Sequence, residues 1–259
     1  MSAELVAALA SVVAGAIAAV AGFGIGSILT PLFSLTLGTR LAVAAVSVPH
    51  LAATALRFLM LRKALDWRVL REFGLASAAG GLIGALLHSR SADPALRTIF
   101  GCLLLLAAGS ELLGLAQRAR LSRGGALLAG AVSGGFGGLV GNQGGIRSAA
   151  MLGLPLRRDA FVATATATGL IVDAVRMPVY FLTTGGAILG AWRMVLAATI
   201  GAIVGTLIGR RLLAHIPERL FRRLVALLLI GLGLYMLATR SPAERSLNPG
   251  TPTPASASR

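Results

Sequence analysis

Two glycine-rich segments interrupt apolar stretches of this 259-residue sequence and place polar groups inside them. They are residues 22–27 (GFGIGS) and residues 141–147 (GNQGGIR). Because glycine tolerates backbone angles that other residues avoid, each segment predicts a broken helix. The short helix that follows each break would offer free N–H groups and a partial positive charge to an anion. The predicted substrate-binding residues are Gly24, Gly26, Ser27, Asn142, Gln143, Gly144, Gly145 and Arg147.

A packing role for the same residues stays open as an alternative. Glycines let helices approach closely, and Arg147 can extend its side chain to a membrane interface. We favour the anion site, because Arg147 carries a full charge and a planar fork of donors that packing does not require. Asn142 and Gln143 add amide donors beside it.

A pair of charges, Asp173 and Arg176, lies in the apolar segment 160–183. Residues three apart share one face of a helix, so the two side chains are predicted to be neighbours. A charge inside a membrane helix costs at least about 2.5 kcal/mol on insertion scales and usually marks function. Asp173 can therefore carry a coupling proton, and the alternative is a structural ion pair without a further role.

Arg57 corresponds in the first half of the chain to Arg176 in the second. The position of Asp173 is taken there by Thr54. Without a neighbouring acid, Arg57 would favour an anion, or alternatively it extends toward the next basic cluster. His50 lies seven residues earlier, near the same helix face, and is either a proton shuttle or a core histidine. The predicted coupling or gating residues are Asp173, Arg176, Arg57 and His50.

Other chemistries lack the residues that they need. The single cysteine, Cys102, allows no internal disulfide, and the three histidines show no HExxH spacing. No GxxxxGK[ST] motif predicts ATP binding, and the nine acidic residues are scattered along the chain. We therefore expect no enzyme activity, no metal site and no cofactor. A membrane-embedded enzyme is kept as a minor alternative.

The composition indicates a protein surrounded by lipid. Hydrophobic residues make up 56% of the chain and charged residues 13%, against about 25% charged residues in soluble domains. The net charge of +15 comes from short basic clusters between apolar runs, which is typical of cytoplasmic loops and does not indicate nucleic acid. A lipid bilayer and a small anionic solute are the expected partners. Spanning helices of about 20 residues are predicted at 4–22, 41–61, 71–88, 96–116, 124–141, 160–183, 194–214 and 220–238, with short half-helices at 26–37 and 145–154.

The apolar segments form two similar halves. The dipeptide Trp-Arg at 67–68 returns 125 positions later at 192–193, and LIG at 82–84 returns at 207–209 with the same offset. The two glycine-rich breaks also correspond. Internal repeats of this kind are typical of secondary transporters. The predicted domains are a first transmembrane repeat at 1–120, a second at 121–240 and a disordered tail rich in Pro and Ser at 241–259.

The basic residues predict how the two halves are oriented. With eight plain crossings, the Lys and Arg residues outside the apolar segments split 11 against 10. If each glycine-broken element enters the membrane and returns to the same side, 14 lie on one side and 7 on the other. Each half then crosses three times, so the second half is inverted and both termini are periplasmic. The predicted fold is an all-α polytopic membrane protein of two inverted four-element repeats, with about eight hydrophobic helices and two half-helices.

The residues around both breaks resemble the sulfite exporter TauE/SafE family of bacterial membrane transporters. The resemblance rests on residues 14–38 and 130–181, which contain both breaks, the LGLP segment with its F-x-AT run, and the Asp-x-x-Arg pair. It covers nearly the whole chain, from about Val6 to Leu237. Many members have GxGGG in both breaks, whereas this chain has GIGS and NQGG. The resemblance implies a multi-pass protein of the bacterial cytoplasmic membrane that moves small anions such as sulfur oxyanions or sulfonates.

These observations together predict a secondary transporter of a small anion, a permease or exporter. Half-helices at glycine breaks, a repeated architecture and intramembrane arginines all favour this function. Coupling to protons or to Na⁺, or passive flow, is expected in place of ATP. A passive anion channel is the leading alternative.

Overall fold

The structure, a computed structural model, describes residues 2–114, 122–142, 144–152, 154, 156–213 and 217–239. Within these ranges the chain forms ten α-helices. A π-helical turn, Leu70–Gly74, lies inside the fourth helix. Gln143 and the predicted tail at 241–259 lie outside the described residues. The helices are α1 (Ala3–Ala21), α2 (Ile25–Leu37), α3 (Thr39–Leu61), α4 (Trp67–Arg90), α5 (Asp93–Leu113), α6 (Arg123–Val140), α7 (Gly144–Leu152), α8 (Arg158–Gly190), α9 (Trp192–Leu213) and α10 (Glu218–Ala238).

Each predicted apolar segment corresponds to one of these helices, and most ends agree within a few residues. The largest difference is at the end of α8, which continues to Gly190 and not to 183. Thr183 and Thr184 donate to carbonyls one turn back, and the helix runs on through the glycines that follow. The α-helical class is thus confirmed for the described residues.

Seven of the described helices are long and apolar enough to cross a membrane, where the sequence predicted eight. The difference is α6, whose apolar part, Gly124–Val140, is shorter than the other seven. Ser122 caps the helix just before Arg123, and Gly141 ends it in the left-handed conformation, so the apolar stretch between them stays short. The two predicted half-helices are present as α2 with 13 residues and α7 with 9 residues.

Glycines in the left-handed conformation end α1 and α6. Gly22 has a φ of 78° and Gly141 a φ of 74°. Each glycine N–H donates to the carbonyl four residues earlier, Ala18 in α1 and Gly137 in α6, at 3.0 Å. A side chain would be strained at this backbone angle, so glycine is the residue that allows both helices to stop here.

α1 and α9 pack backbone against backbone. Gly201 of α9 faces the carbonyl of Ala8, and Gly205 faces that of Val12, so closely that a Cβ would overlap either oxygen. The contacts advance in the same direction along both helices, so the two are parallel. Small residues permit this approach where lipid provides no hydrophobic drive for association.

α4 and α6 repeat the same packing. Gly80 of α4 faces the carbonyl of Ala131, and Gly84 faces that of Gly135, again without room for a Cβ. These two helices are also parallel. The pairs α1 with α9 and α4 with α6 therefore use one kind of glycine contact.

α3 and α8 run in opposite directions through the interior. His50 of α3 lies against Asp173 of α8, whereas Ser47, one turn earlier, lies against Met177, one turn later. The start of α3 is therefore near the end of α8. These two helices carry most of the buried polar side chains described below.

Candidate functional site

The two glycine breaks touch each other inside the protein. Gly26, at the start of α2, packs against the carbonyl of Gly141 so closely that a Cβ would overlap it. Gly144, at the start of α7, packs in the same way against Phe23. The structure thus brings backbone from both predicted breaks into one contact, and glycine is needed on each side of it.

Side chains from both breaks join this contact. Ser27 Oγ donates to Asn142 Oδ1 at 3.4 Å, and both residues are buried. Gly24 caps the start of α2 with a φ of 141°, which a side chain would strain. Gly145 is further from the contact and lines a separate pocket beside α5 together with Asn142. The remaining predicted member, Gln143, lies outside the described residues.

Arg147 extends from α7 into the protein and not to an interface. It is 4% exposed, and its Nη2 donates to the carbonyl of Gly22 at 3.3 Å. On the other side, its Nη1 lies close to Gly169 of α8. Within the described part of the chain, neither Nε nor Nη1 has a hydrogen-bond partner. An anion could accept hydrogen bonds from these unused donors and balance the buried charge of the guanidinium.

Asp173 is the centre of a chain of buried polar groups. Its Oδ2 lies 2.7 Å from His50 Nδ1, and its Oδ1 accepts from Arg176 Nε at 3.0 Å. Arg176 Nη1 donates to the carbonyl of Gly137 at 2.8 Å, and the guanidinium lies over the ring of Tyr180. The structure places the expected neighbours Asp173 and Arg176 in contact and adds His50, 123 positions away in sequence.

Arg57 is buried and bonds to neutral groups. Its Nη1 donates to the carbonyl of Ala18 at 2.6 Å, and its Nη2 donates to Thr54 Oγ1 at 3.0 Å. Thr54 Oγ1 lies 3.5 Å from His50 Nδ1, which links Arg57 to the Asp173 chain. Nε of Arg57 has no partner among the described residues. At 7% exposed, Arg57 does not extend toward the basic cluster at the end of α3.

The buried cluster has more positive than negative charge. Arg57, Arg147 and Arg176 contribute three guanidinium groups, against the one carboxylate of Asp173. With His50 neutral, these four groups carry a net charge of +2. Buried charge without a counter-charge is costly, so the arrangement favours an anion over a cation or a neutral solute.

A small cavity and a larger crevice lie beside this cluster. The cavity has a volume of about 20 Å³, and we call it the Arg57 cavity. The crevice has a volume of about 510 Å³, and we call it the α8 crevice because the start of α8 forms one wall. Both are lined by Gly22 and Val162, so they adjoin. The Arg57 cavity is also lined by Ala18, Arg57, Thr166 and Thr206, and the α8 crevice by Ser148, Met151, Leu156 and Phe161.

Two residues of this region were not identified from the sequence. Tyr180 is buried, and its hydroxyl donates to the carbonyl of Gly138. Its spacing of four from Arg176 on one helix is a signal that could have identified it. Thr206 lines the Arg57 cavity, but it is far from Arg57 in sequence, and no local pattern indicates the contact.

The cluster is poorly suited to a metal ion. His50 and Asp173 are close together, but the described ranges contain no group of three or more His, Cys, Asp or Glu that could hold one. Arg176 occupies the second oxygen of Asp173 and would repel a cation.

The sequence model of a family described as Sulfite exporter TauE/SafE matches residues 7–236. The match includes both glycine breaks and every residue of the buried cluster. No curated protein and no solved structure matches the chain.

Proposed function

The chain belongs to the sulfite exporter TauE/SafE family, and we propose that it is a secondary transporter that moves a small anion, a sulfur oxyanion or an organosulfonate, across the bacterial cytoplasmic membrane. The family is one of membrane transporters, and seven span-length helices agree with a multi-pass membrane protein. The observation that carries the proposal is Arg147, buried with unused donors at the contact between the two glycine breaks.

We infer that the anion binds between the two breaks. The starts of α2 and α7 both lie there, and each adds free N–H groups and a partial positive charge to that of Arg147. The site is buried, which strengthens these interactions relative to those in bulk water. The proposed substrate-binding residues are Gly24, Gly26, Ser27, Asn142, Gln143, Gly144, Gly145 and Arg147.

The α8 crevice gives the anion a route to this site. It reaches Gly22, whose carbonyl binds Arg147, and it continues past Phe161 toward the start of α8. The exposed Arg157 precedes α8 at that end, and the basic turn after α3 reaches the same helix, because the N–H of Asp66 donates to Thr164 Oγ1 at 3.1 Å. Basic residues at the mouth of a crevice raise the local concentration of anions, which supports this end as the cytoplasmic opening.

We propose that α1 with α2, and α6 with α7, are re-entrant elements. The end of α1 lies against Arg57, near the end of α3, yet α2 leads back through Gly38 to the start of α3. The end of α6 lies beside Arg176, yet α7 leads back toward the start of α8 at Arg158. Each broken element therefore runs inward and returns, which supports the prediction made from the basic residues.

The same contacts support inverted repeats at 1–120 and 121–240. α3 and α8 are antiparallel, so the two re-entrant elements approach the centre from opposite sides. α1 of the first half corresponds to α6 of the second, and α4 corresponds to α9. If the halves are exchanged, the glycine-packed pair α1 with α9 therefore takes the place of the pair α6 with α4. Inverted repeats that meet at a central site are the usual basis of alternating access in secondary transporters.

We propose that His50 and Asp173 couple anion binding to proton binding. A proton on either residue adds one positive charge to a cluster that also contains Arg57 and Arg176. Binding of an anion and of a proton would therefore favour each other by electrostatic attraction. Arg57 and Arg176, which bind the ends of the two broken helices, would act in gating.

Uptake by proteoliposomes tests the function. Purified protein would be reconstituted and supplied with sulfite, sulfoacetate, thiosulfate and, as a control, acetate. Saturable uptake of at least one sulfur anion above that of protein-free liposomes is expected. Uptake of none of them by folded protein would contradict the proposed substrate class.

A further inference from the structure

Thr206 carries a buried hydroxyl that the packing of α9 does not use. The residue is 2% exposed, and its Oγ1 has no hydrogen-bond partner in the ranges that the structure describes. Thr199 on the same helix shows the ordinary arrangement, because its hydroxyl donates to the carbonyl of Val195 at 2.7 Å. A buried hydroxyl without a partner is costly, so Thr206 is suited to a partner from outside the chain.

The Arg57 cavity, which Thr206 lines, has a second lining residue with an unused donor. Arg57 lines the same cavity, and its Nε also lacks a partner among the described residues. Thr166 of α8 lines it as well. Three helices thus bring two threonines and an arginine to the wall of a space of about 20 Å³, which has room for roughly one water-sized group.

The positive charge at the cavity determines which kind of ligand atom it favours. Arg57 is a permanent cation and has only donors, so a negatively charged oxygen is preferred over a neutral one. The carbonyl of Ala18 that lines the cavity already accepts from Arg57 and from Gly22. The cavity adjoins the α8 crevice, which has room for the rest of a small anion.

We propose that Arg57, Thr166 and Thr206 form a subsite that binds one oxygen of the transported oxoanion. This inference rests on the proposed transport function. The rest of the anion would lie toward Arg147, because Gly22 both lines the cavity and accepts the Arg147 hydrogen bond. The ligand class is an anion with an exposed, acceptor-only oxygen.

The place beside Arg176 that corresponds to the Arg57 cavity is arranged differently. Arg176 uses its Nε on Asp173 and its Nη1 on Gly137, so its donors are already engaged. The offset of 125 places Gly81, which has no hydroxyl, at the position of Thr206. The subsite therefore lies beside Arg57, at the end that the α8 crevice reaches, and has no such counterpart beside Arg176.

Thr206→Val tests the subsite, because it removes the hydroxyl and nearly keeps the volume. The KM for the anion that wild-type proteoliposomes transport should rise about 10-fold or more, as expected for a lost hydrogen bond to a charged group. Thr206→Ser keeps the hydroxyl and should remain within about twofold of wild type. Thr199→Val is the matched control on the same helix and should leave KM unchanged.

The outcomes separate the subsite from the proposed function. If wild type takes up none of sulfite, sulfoacetate and thiosulfate, the transport proposal fails, and the subsite fails with it. If wild type transports one of them and Thr206→Val keeps the wild-type KM, the cavity holds water only and the subsite alone is wrong.

Thermal stabilisation by the same anion gives a readout that does not depend on turnover. A ligand that binds the folded state raises the melting temperature, so Thr206→Val should show a smaller anion-dependent rise than wild type or Thr199→Val. Equal rises in all three proteins would overturn the subsite. If Thr206→Val does not fold, Thr166→Val carries the same two measurements.

Discussion

Arg57 and Arg176 make the same contact in the two halves of the chain. Each donates from Nη1 to the backbone carbonyl four residues before the glycine that ends a broken helix, Ala18 in α1 and Gly137 in α6. These carbonyls lie at the negative ends of their helices, where a cation is stabilising. Each arginine therefore holds the end of one glycine-broken helix in place.

The two arginines differ in their second partner. Arg176 pairs with Asp173, whereas Arg57 bonds to Thr54 and keeps an unused donor. The charge of Arg176 is thus balanced by Asp173, whereas Arg57 keeps a positive charge for an anion. The variants Asp173→Asn and His50→Gln test this asymmetry.

Asp173→Asn should destabilise the protein strongly. The substitution leaves Arg176 buried without its counter-charge, and breaking a buried pair in this way costs about 3–5 kcal/mol. Thermal unfolding in detergent would measure the loss. Asp159→Asn is the control, since Asp159 is exposed at the start of α8. Equal melting temperatures for the two variants would show that the Asp173 pair is not needed for stability.

His50→Gln should uncouple transport from the proton gradient. His50 is 2.7 Å from Asp173 and is linked through Thr54 to Arg57, so a proton at this place changes the charge of the whole cluster. Anion flux would be measured with and without an imposed pH gradient. Wild type should respond to the gradient, and His50→Gln should not.

His88→Gln is the matched control for that measurement. His88 is also buried, but its ring bonds to the carbonyl of Leu139 and packs against Tyr180, and it does not contact Asp173 as His50 does. This variant should keep the response to the pH gradient. A response retained in His50→Gln, or a wild type that never responds, would remove His50 from the coupling mechanism.

Gly26→Ala should abolish transport through a packing clash. A Cβ on Gly26 would overlap the carbonyl of Gly141, which is backbone and cannot rotate away. Overpacking of this kind costs about 1–3 kcal/mol or more and would push the two breaks apart. Gly186→Ala makes the same change where no described atom lies within 4 Å, and it should transport normally. Normal transport by Gly26→Ala would show that the breaks need not touch.

Reporter fusions test the re-entrant topology. A fusion in the turn at Asp66 should report the cytoplasm, and fusions in the turn at Ala92 and at the C-terminus should report the periplasm. An Asp66 turn and a C-terminus on the same side of the membrane would favour eight plain crossings. The inverted-repeat proposal would then be wrong.

The sequence alone was enough to locate the helices and both breaks. Apolar runs of about 20 residues have few alternatives to a spanning helix. Glycine clusters such as Gly22 with Gly24 indicate a helix break from the local sequence alone. The contact between Asp173 and Arg176 is local as well, because residues three apart on a helix are neighbours. These features depend on short-range geometry that can be read along the chain.

Contacts between the halves could not be predicted in this way. The partnership of His50 with Asp173 depends on the antiparallel crossing of α3 and α8, and that of Arg147 with Gly22 depends on the meeting of the breaks. Thr206 gives no signal at all, since an isolated threonine in an apolar helix usually bonds to its own backbone. Only the three-dimensional arrangement places it beside Arg57.

Anion uptake by Arg147→Ala in proteoliposomes tests directly whether the anion binds where the two breaks meet. Uptake of the wild-type substrate should fall at least about 30-fold, because a buried charged contact is lost. Arg193→Ala, in which the lost guanidinium lay over the ring of Trp192 away from the breaks, should match wild type. Folded Arg147→Ala protein that transports at the wild-type rate would contradict the claim that the anion binds where the two breaks meet.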